Sequence, residues 1–456
     1  MAPNIRYPDR DQGFLLPPSI RDWLPEGHFA WFVIDAVERM DLSAFSGKVR
    51  RDGKGGAWYS PKMMATLLLY SYANGTRSSR RIEALCEVDV AFRVICGNLR
   101  PDHCSIARFR QSHEKAFKDL FVSVLELCRE AGLTRAGILA LDGTKIAGNA
   151  SLAANRTEET LRAEIEKMVA EAKARDAEED GLYGNARGDE LPPDVRTSKG
   201  RLKRLEECLQ SIKARKETEA AEREALLRRR QEREASGKMI RGRKPILAPE
   251  NKEPKANVTD PESRIMKTAK GFLQGFNAQA VANEHQIIVA SEVTQDQNDT
   301  QQLHPMVEKA VENLKEAGET DLPTVVTADA GYPSESALSQ PLSGGVEPFC
   351  ATRKSHVERA NNTPAPKGRI PKKATAMERM GRKLRTKRGR ALYKQRSQII
   401  EPVFGQIKTG LQQVDRFSRR GKDACDSEWK LICAVHNLRK LWNLASRGKK
   451  DDRTVH

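Results

Sequence analysis

The sequence predicts a mixed α/β fold with an N-terminal helical domain and a helical hairpin inserted into the α/β core. Three observations predict it. Apolar residues up to about position 130 recur at helical spacing. Two short apolar runs, Ile138–Leu141 and Val325–Ala328, each end on an acid, Asp142 and Asp329. From residue 137 the elements run strand, charged insert, two strands, helix, strand, helix, strand, then helices, an order that suits a mixed sheet flanked by helices. The expected domains are 1–135, helical; 136–155 with 256–446, the α/β domain; 156–255, a charged coiled-coil insertion and basic linker; and 447–456, a tail.

Each element has a local reason. Ser60-Pro61 opens a helix with proline near its first turn, and Asn74-Gly75 stops it. Ser78 or Ser79 can cap the next helix. After a turn around Gly97 to Pro101, one helix is expected from Ser105 to Gly132, with Phe117, Phe121, Val124, Leu125 and Cys128 on one face. Arg108 and Arg110 lie early in it. Two helices around a turn fit a helix-turn-helix reader of DNA, and equally a plain helical bundle with exposed arginines. Ile138 to Leu141 make a buried strand ending in Asp142-Gly143.

Residues 156 to 236 are dominated by Glu, Lys, Arg and Ala. Leu161, Ile165, Met168 and Ala172 step at heptad spacing, as do Leu202, Leu205, Leu209 and Ile212, around a turn-rich stretch. Two long helices folded into an antiparallel coiled coil are expected, as a finger that touches DNA or a partner, or as a solvated ornament. Strands then return as GFLQGFNAQAVAN and QIIVASEVTQD, joined at Glu284-His285. A helix closed by Gly318 follows, then TVVTADAGY ending in Asp329, a short helix capped by Ser334 or Ser336, and a weaker strand, VEPFCAT. Asp260-Pro261 reads as a turn entering a strand, with Arg264 or Lys267 as the alternative, a phosphate contact. Asp296, Asn298 and Asp299 read as caps of the next helix, or as the edge of a site. Residues 352–396 are very basic and expected to be partly extended. The final segments are amphipathic helices.

The 456-residue chain carries a formal net charge of +17, a pI near 9.5, 38% hydrophobic and 31% charged residues. That balance favours a polyanionic partner, nucleic acid above all. None of the eight cysteines forms a Cys-x-x-Cys pair, and Cys425, Cys433 and His436 fit no familiar zinc spacing. Core cysteines of a reducing compartment are expected. His304 and His436 lie beside no nucleophile and read as structural. With no signal-peptide layout and no apolar run of about 20 residues, the expectation is a cytoplasmic, nucleoid-associated bacterial protein.

Cutting a phosphodiester in line needs charge neutralised on the attacking and leaving oxygens, and two Mg²⁺ ions held by carboxylates can do this. Strand-end acids followed by glycine are suitable platforms, because the backbone there can approach a phosphate closely. A third acid remains open by spacing alone among Glu347, Glu358, Glu378, Glu401, Asp415 and Asp423. Glu401 stands out, with Tyr393, Arg396 and Lys408 around it on one helical stretch.

LALDGTKIAGNAS, NVTDPESRIM, GFNAQAVAN, VTADAGYPSE and YKQRSQIIEPVFGQIKTG resemble segments of bacterial insertion-sequence transposases, nearest to the group numbered eleven eighty-two within the four-and-five superfamily. PDHCSIARFR resembles part of the helical domain that precedes their core. The resemblance implies a ribonuclease-H-like core whose acids lie on strand one, after strand four and on a later helix: here Asp142, Asp329 and Glu401. It further implies a Tyr-Arg-Glu-Lys signature in Tyr393, Arg396, Glu401 and Lys408, whose basic members handle end DNA. The gap from Arg396 to Glu401 is one residue longer than in the best-known form. Pro402 predicts a kink or a helix beginning there. The implied activity is metal-dependent cleavage at transposon ends and strand transfer into target DNA, with two Mg²⁺ ions or Mn²⁺ in their place, and a homodimer in the synaptic complex. The alternatives are a catalytically inactive, transposase-derived DNA-binding protein and a structural coiled-coil protein.

Overall fold

A computed structural model describes residues 19–46, 58–135, 137–183, 193–236, 254–269, 271–352, 361, 363–364 and 368–451, with the backbone alone at 46, 171–183, 193–200, 233 and 447–451. Helices α1 (Phe29–Arg39), α2 (Ser43–Ser46), α3 (Pro61–Ala73), α4 (Ser79–Val88), α5 (Val90–Ile95), α6 (His103–Ser112) and α7 (Ala116–Glu130) come first. Pro61 sits in the first turn of α3, as the sequence predicts. The long helix expected from Ser105 breaks at His113. Ser112 Oγ donates to Arg108 O at 2.8 Å, His113 Nδ1 lies 2.9 Å from Phe109 O, and the imidazole packs on Phe45 and Phe109. These side chains bond carbonyls that the next turn of helix would otherwise have used.

Strand β1 (Ile138–Ala147) starts the sheet. A two-residue pair, β2 (Asn155–Arg156) with β3 (Ala256–Asn257), then closes the neck of the insertion, so the chain leaves and re-enters the core at one place. Between them lie α8 (Glu158–Tyr183) and α9 (Pro193–Ala235). Leu161, Leu205, Cys208 and Ile212 are buried between these helices, with Ile165, Met168 and Leu209 packed alongside. The turn-rich stretch 184–192 and the basic linker 237–253 lie outside the described residues.

The remaining elements are β4 (Arg264–Thr268), β5 (Gly271–Asn283), β6 (Ile288–Thr294), α10 (Leu303–Glu316), β7 (Val325–Ala328), α11 (Glu335–Ser339), β8 (Glu347–Cys350), α12 (Ala376–Arg385), α13 (Lys387–Thr409) and α14 (Lys422–Asp451). The six-stranded sheet is mixed. β5 is antiparallel to β1 on one edge and to β4 and β6 on the other, while β7 runs parallel to β1 and β8 parallel to β7. Helix α10 packs on β5 and β6. Helix α13 packs on β1, β5, β7 and β8, and α14 on β5 and β6. The N-terminal helices α3 and α7 lie against α14, and one continuous core runs from Phe29 to Leu438. The basic region expected to be partly extended contains α12 and the start of α13; residues 353–360 lie outside the described residues.

Pro402 does not start a helix; α13 runs through it from Lys387 to Thr409. Ile399, Ile400, Val403 and Ile407 are buried on both sides of it and hold the helix on the sheet. Proline leaves the carbonyl four residues earlier without its donor. That carbonyl, Gln398 O, accepts from Gln286 Nε2 at 2.9 Å. Gln286 sits at the β5–β6 turn with φ 61°, and its backbone oxygen and side-chain oxygen meet His436 Nε2 (2.9 Å) and Lys440 Nζ (2.6 Å). Gln286→Ala is therefore expected to lower stability by about 1 kcal/mol, through the unsatisfied carbonyl. Urea unfolding measures it, and an unchanged midpoint would show that Gln398 O finds water instead.

Candidate active site

The sheet brings the two acids together, although Asp142 does not end its strand as expected: β1 runs on to Ala147, held by its pairing with β5, and only the β7 ladder beside it stops at Leu141. Leu141 of β1 stands beside Ala328 of β7 in parallel register. The following residues, Asp142 and Asp329, are thus neighbours across strands roughly 4.8 Å apart. Neither side chain could be so placed by sequence proximity.

Helix α13 crosses the same end of the sheet. Arg396 Nη2 donates to Asp142 Oδ2 at 2.6 Å, and its Nη1 lies 3.6 Å from Glu401 Oε1. One guanidinium therefore joins an acid of β1 to an acid of α13. Lys408 Nζ donates to Thr144 Oγ1, two residues beyond Asp142 on the same face of β1. Arg396 and Asp142 are mostly buried, whereas the Glu401 side chain is 59% exposed. Tyr393 is half-buried, one turn earlier on α13.

Burial pushes the Asp142 carboxyl up to about 6. Asp329 and Asp299 push the same way, while Arg396 and the Gly143 N–H pull it down. Burial likewise holds the Lys408 ammonium below its ordinary range. A carboxylate raised by desolvation and by like charges is a common mark of a functional site.

The rival third acids are engaged elsewhere. Glu378 closes a capping box with Thr375 at the start of α12. Glu347 pairs with Lys383 (2.7 Å) and Arg388 (2.9 Å). Asp415 lies 3.6 Å from Arg77, and Asp423 stands in the first turn of α14. Glu358 lies outside the described residues. Asp260 forms the turn expected of it: its carboxylate accepts from Glu262 N (3.3 Å) and Gly421 N (3.2 Å). Arg264 Nη1 donates to the carbonyls of Pro261 and Ser263.

The two N-terminal arginines part company. Arg108 is exposed on α6. Arg110 points inward and donates to Tyr72 Oη (3.1 Å), Arg77 O (2.8 Å) and Ser79 Oγ. His304 and His436 bond the carbonyls of Ala337 and Gln286. All eight cysteines are free thiols, and Cys425 bonds Arg419 O, so no zinc cluster forms from it among the described residues.

Sequence reading ranked Asp299 as a helix cap. Helix α10 is instead preceded by Gln302, with no side-chain cap, and Asp299 reaches back over the sheet. Its Oδ1 accepts from Asn277 Nδ2 and Gln279 Nε2, each at 2.7 Å, and lies 3.5 Å from Lys145 Nζ. Tyr332, fully buried, donates its hydroxyl to Gln279 Oε1. The signal was present in GFNAQAVAN. Asn277 and Gln279 stand two apart on one face of a buried strand, where polar side chains are costly unless they hold something.

The donor set around Asp142 and Asp329 is all oxygen, the chemistry of a hard divalent cation. A carboxylate raised by burial and by neighbouring acids, as Asp142 is, is relieved by such a cation. Among the described residues, no three His, Cys, Asp or Glu side chains converge closely enough to chelate an ion as they stand. Asp142 is instead turned to Arg396.

Comparison with known families gives two matches. Residues 18–112 match the family described as "Transposase domain (DUF772)", and residues 350–442 match "Transposase DDE domain". Glu401, Arg396 and Lys408 fall within the second segment, while Asp142 and Asp329 lie between the two. No curated protein and no solved structure matches the chain. Among the described residues, no helix is long and apolar enough to cross a membrane.

Proposed function

We propose, from the premise that the chain is a DDE transposase, an enzyme of polynucleotidyl transfer, that Asp142, Asp329 and Glu401 are its three catalytic acids. The observation that carries this reading is the Arg396 guanidinium spanning Asp142 and Glu401, with Asp329 beside Asp142 in register. Arg396 thus links an acid of β1 to an acid of α13, and Asp329, just after β7, lies next to the first of them. A ribonuclease-H-like core is supported by the same topology. Among the six strands of the sheet, β1, β4, β5, β6, β7 and β8, the acids fall on the first, just after the fifth, and on a later helix, and the fifth lies parallel beside the first. The quoted segments support a place in the insertion-sequence group eleven eighty-two.

The family implies divalent metal dependence, and we assign the role to two Mg²⁺ ions, with Mn²⁺ as a substitute. When bound, the ions neutralise charge on the attacking and leaving oxygens of the phosphodiester. Asp142 and Asp329 offer fixed carboxylates from rigid strands. Glu401, exposed on α13, supplies the third from the solvent side. Arg396 holds Asp142 and Glu401 together, and Lys408 with Tyr393 faces DNA phosphate near the cut. Lys and Arg of residues 352–396, of which 353–360, 362 and 365–367 lie outside the described residues, grip the DNA backbone without reading sequence. In the proposed arrangement residues 1–135 bind the terminal inverted repeats through exposed groups such as Arg108, and Arg110 supports their packing. Residues 136–155 and 256–446 form the catalytic domain, with 156–255 as its insertion. Synapsis of two ends requires a homodimer. The bacterial cytoplasm, at the nucleoid, is the corresponding location.

The test is incubation with Mg²⁺ and DNA spanning the gene's own flanks, beside Asp142→Asn, Asp329→Asn and Glu401→Gln. Each variant is expected to cut at least about 100-fold more slowly, the scale for losing a group that stabilises developing charge. A variant that cuts at the wild-type rate removes its residue from the catalytic set.

A further inference from the structure

We propose that Asp299 is a fourth carboxylate of this centre, a further oxygen ligand for the divalent cation that Asp142 and Asp329 hold. The inference rests on the reading of those two acids given above. Asn277, Gln279 and Tyr332 are each fully buried, and all three belong to one hydrogen-bonded cluster that ends on Asp299. Buried polar groups are costly unless paired, so a cluster of three fixes whatever it holds.

The cluster fixes only one oxygen. Both amide donors and the Lys145 ammonium meet Asp299 Oδ1. Oδ2 is turned toward the Asp329 loop. It stands 3.5 Å from where a Cβ on Gly331 would be, and Asp329 Oδ1 stands 3.1 Å from the same point. A Cβ on Gly143 would lie 2.9 Å from Asp299 Oδ1 and 2.3 Å from Gln279 Nε2. Gly143, directly after Asp142, and Gly331, two residues after Asp329, are therefore the residues that leave room for the Asp299 carboxylate.

A second observation points independently to a cation. Asn277 is fully buried, and its Oδ1 has no hydrogen-bond donor, though it lies 3.0 Å from the same Gly143 position. A buried carbonyl oxygen aimed among carboxylates without a donor is an acceptor waiting for a positive partner. The Lys145 ammonium reaches Asp299 Oδ1 only as an ion pair at 3.5 Å and leaves Asn277 Oδ1 without a donor.

The test is Mn²⁺ binding by calorimetry on the full chain without DNA, together with melting of the metal-free proteins. Asp299→Asn is expected to weaken Mn²⁺ binding at least about ten-fold, the scale of losing a metal-supporting group. Asp299→Cys, compared with wild type, is expected to gain thiolate-to-Cd²⁺ charge-transfer absorption, because sulfur prefers the softer ion; this gain survives as a readout if the amide variant fails to fold. Unchanged Mn²⁺ binding in a folded Asp299→Asn, or no added Cd²⁺ absorption in Asp299→Cys, overturns the proposal. Asp142→Asn separates the two readings. If it abolishes binding while Asp299→Asn does not, only Asp299 is misassigned. If both leave binding intact, the acid centre itself is misassigned. If Asp299→Asn alone loses binding, Asp299 stands and Asp142 falls.

Discussion

Asp142→Asn is expected to abolish cutting while making the metal-free protein more stable. The two effects share one cause. The Asp142 carboxyl is pushed up to about 6, first by burial and then by Asp329 and Asp299, against the opposing pull of Arg396. In the unfolded chain the same group titrates near 3.8. Between those values the folded protein holds a proton that the unfolded chain has released. Stability from this group therefore rises as pH falls through 6 and is complete below 3.8. Above 6 the charged carboxylate costs the fold stability, on the order of 1–3 kcal/mol at about 1.4 kcal/mol per tenfold change in proton affinity. An amide carries no such cost and can still accept from Arg396. Urea midpoints at pH 7.5 and pH 5, in chelator, should show Asp142→Asn above wild type at the higher pH, with the gap narrowing at the lower. A variant less stable than wild type at both would mean that Arg396 needs the charge more than the fold is harmed by it.

Glu401→Gln gives the contrast. Its side chain is mostly in water and its ion pair with Arg396 is 3.6 Å long. Exposed pairs of that kind contribute little to stability, so the loss should fall on cutting alone.

How much of this was legible beforehand differs between fold and site. Local signals placed the elements well: Pro61 at the start of α3, Gly318 with φ 78° after α10, Ser334 accepting from Ala337 N at the start of α11. Such signals depend on a few neighbouring residues. Two local readings failed because tertiary partners intervened. His113, packed on Phe45, ended a helix that periodicity carried onward. Gln286, more than a hundred residues away in sequence, supplied the donor that lets α13 pass through Pro402. Asp142 and Asp329 were visible because an apolar run followed by an acid is conspicuous, but the run did not mark the strand's end at Asp142, since pairing with β5 carries β1 on to Ala147. Resemblance singled out Glu401 among six candidates, and packing sets it beside Arg396. Asp299 was left between a helix cap and the edge of a site, because Asp-rich turns before helices usually cap them, and the hydrogen bonds from Asn277 and Gln279, far away in sequence, decide against the cap.

Trp429→Ala is expected to be the most destabilising single change, by about 3–5 kcal/mol for the buried indole. Trp429 is fully buried on α14, stacks on Phe404 of α13 at 6.5 Å with planes 10° apart, and donates its Nε1–H to Gln279 O at 2.9 Å. Losing that donor adds about 1 kcal/mol at the strand. Against a total of roughly 5–15 kcal/mol for a folded domain, this removes a large part of the margin. The damage also reaches the site from both sides of the sheet. Phe404 shares a helix with Glu401, and Gln279 aims Asp299 through its side chain while its backbone carbonyl meets the indole. Trp429→Phe separates the contributions: it keeps most of the buried ring and loses only the hydrogen bond, so about 1–2 kcal/mol is expected. Urea unfolding followed by circular dichroism orders the three proteins. If Trp429→Ala stays within about 1 kcal/mol of wild type, the indole is not the post on which α13, α14 and β5 are hung. The geometry of Glu401 and Asp299 must then be held by the strand register and by the buried isoleucines of α13.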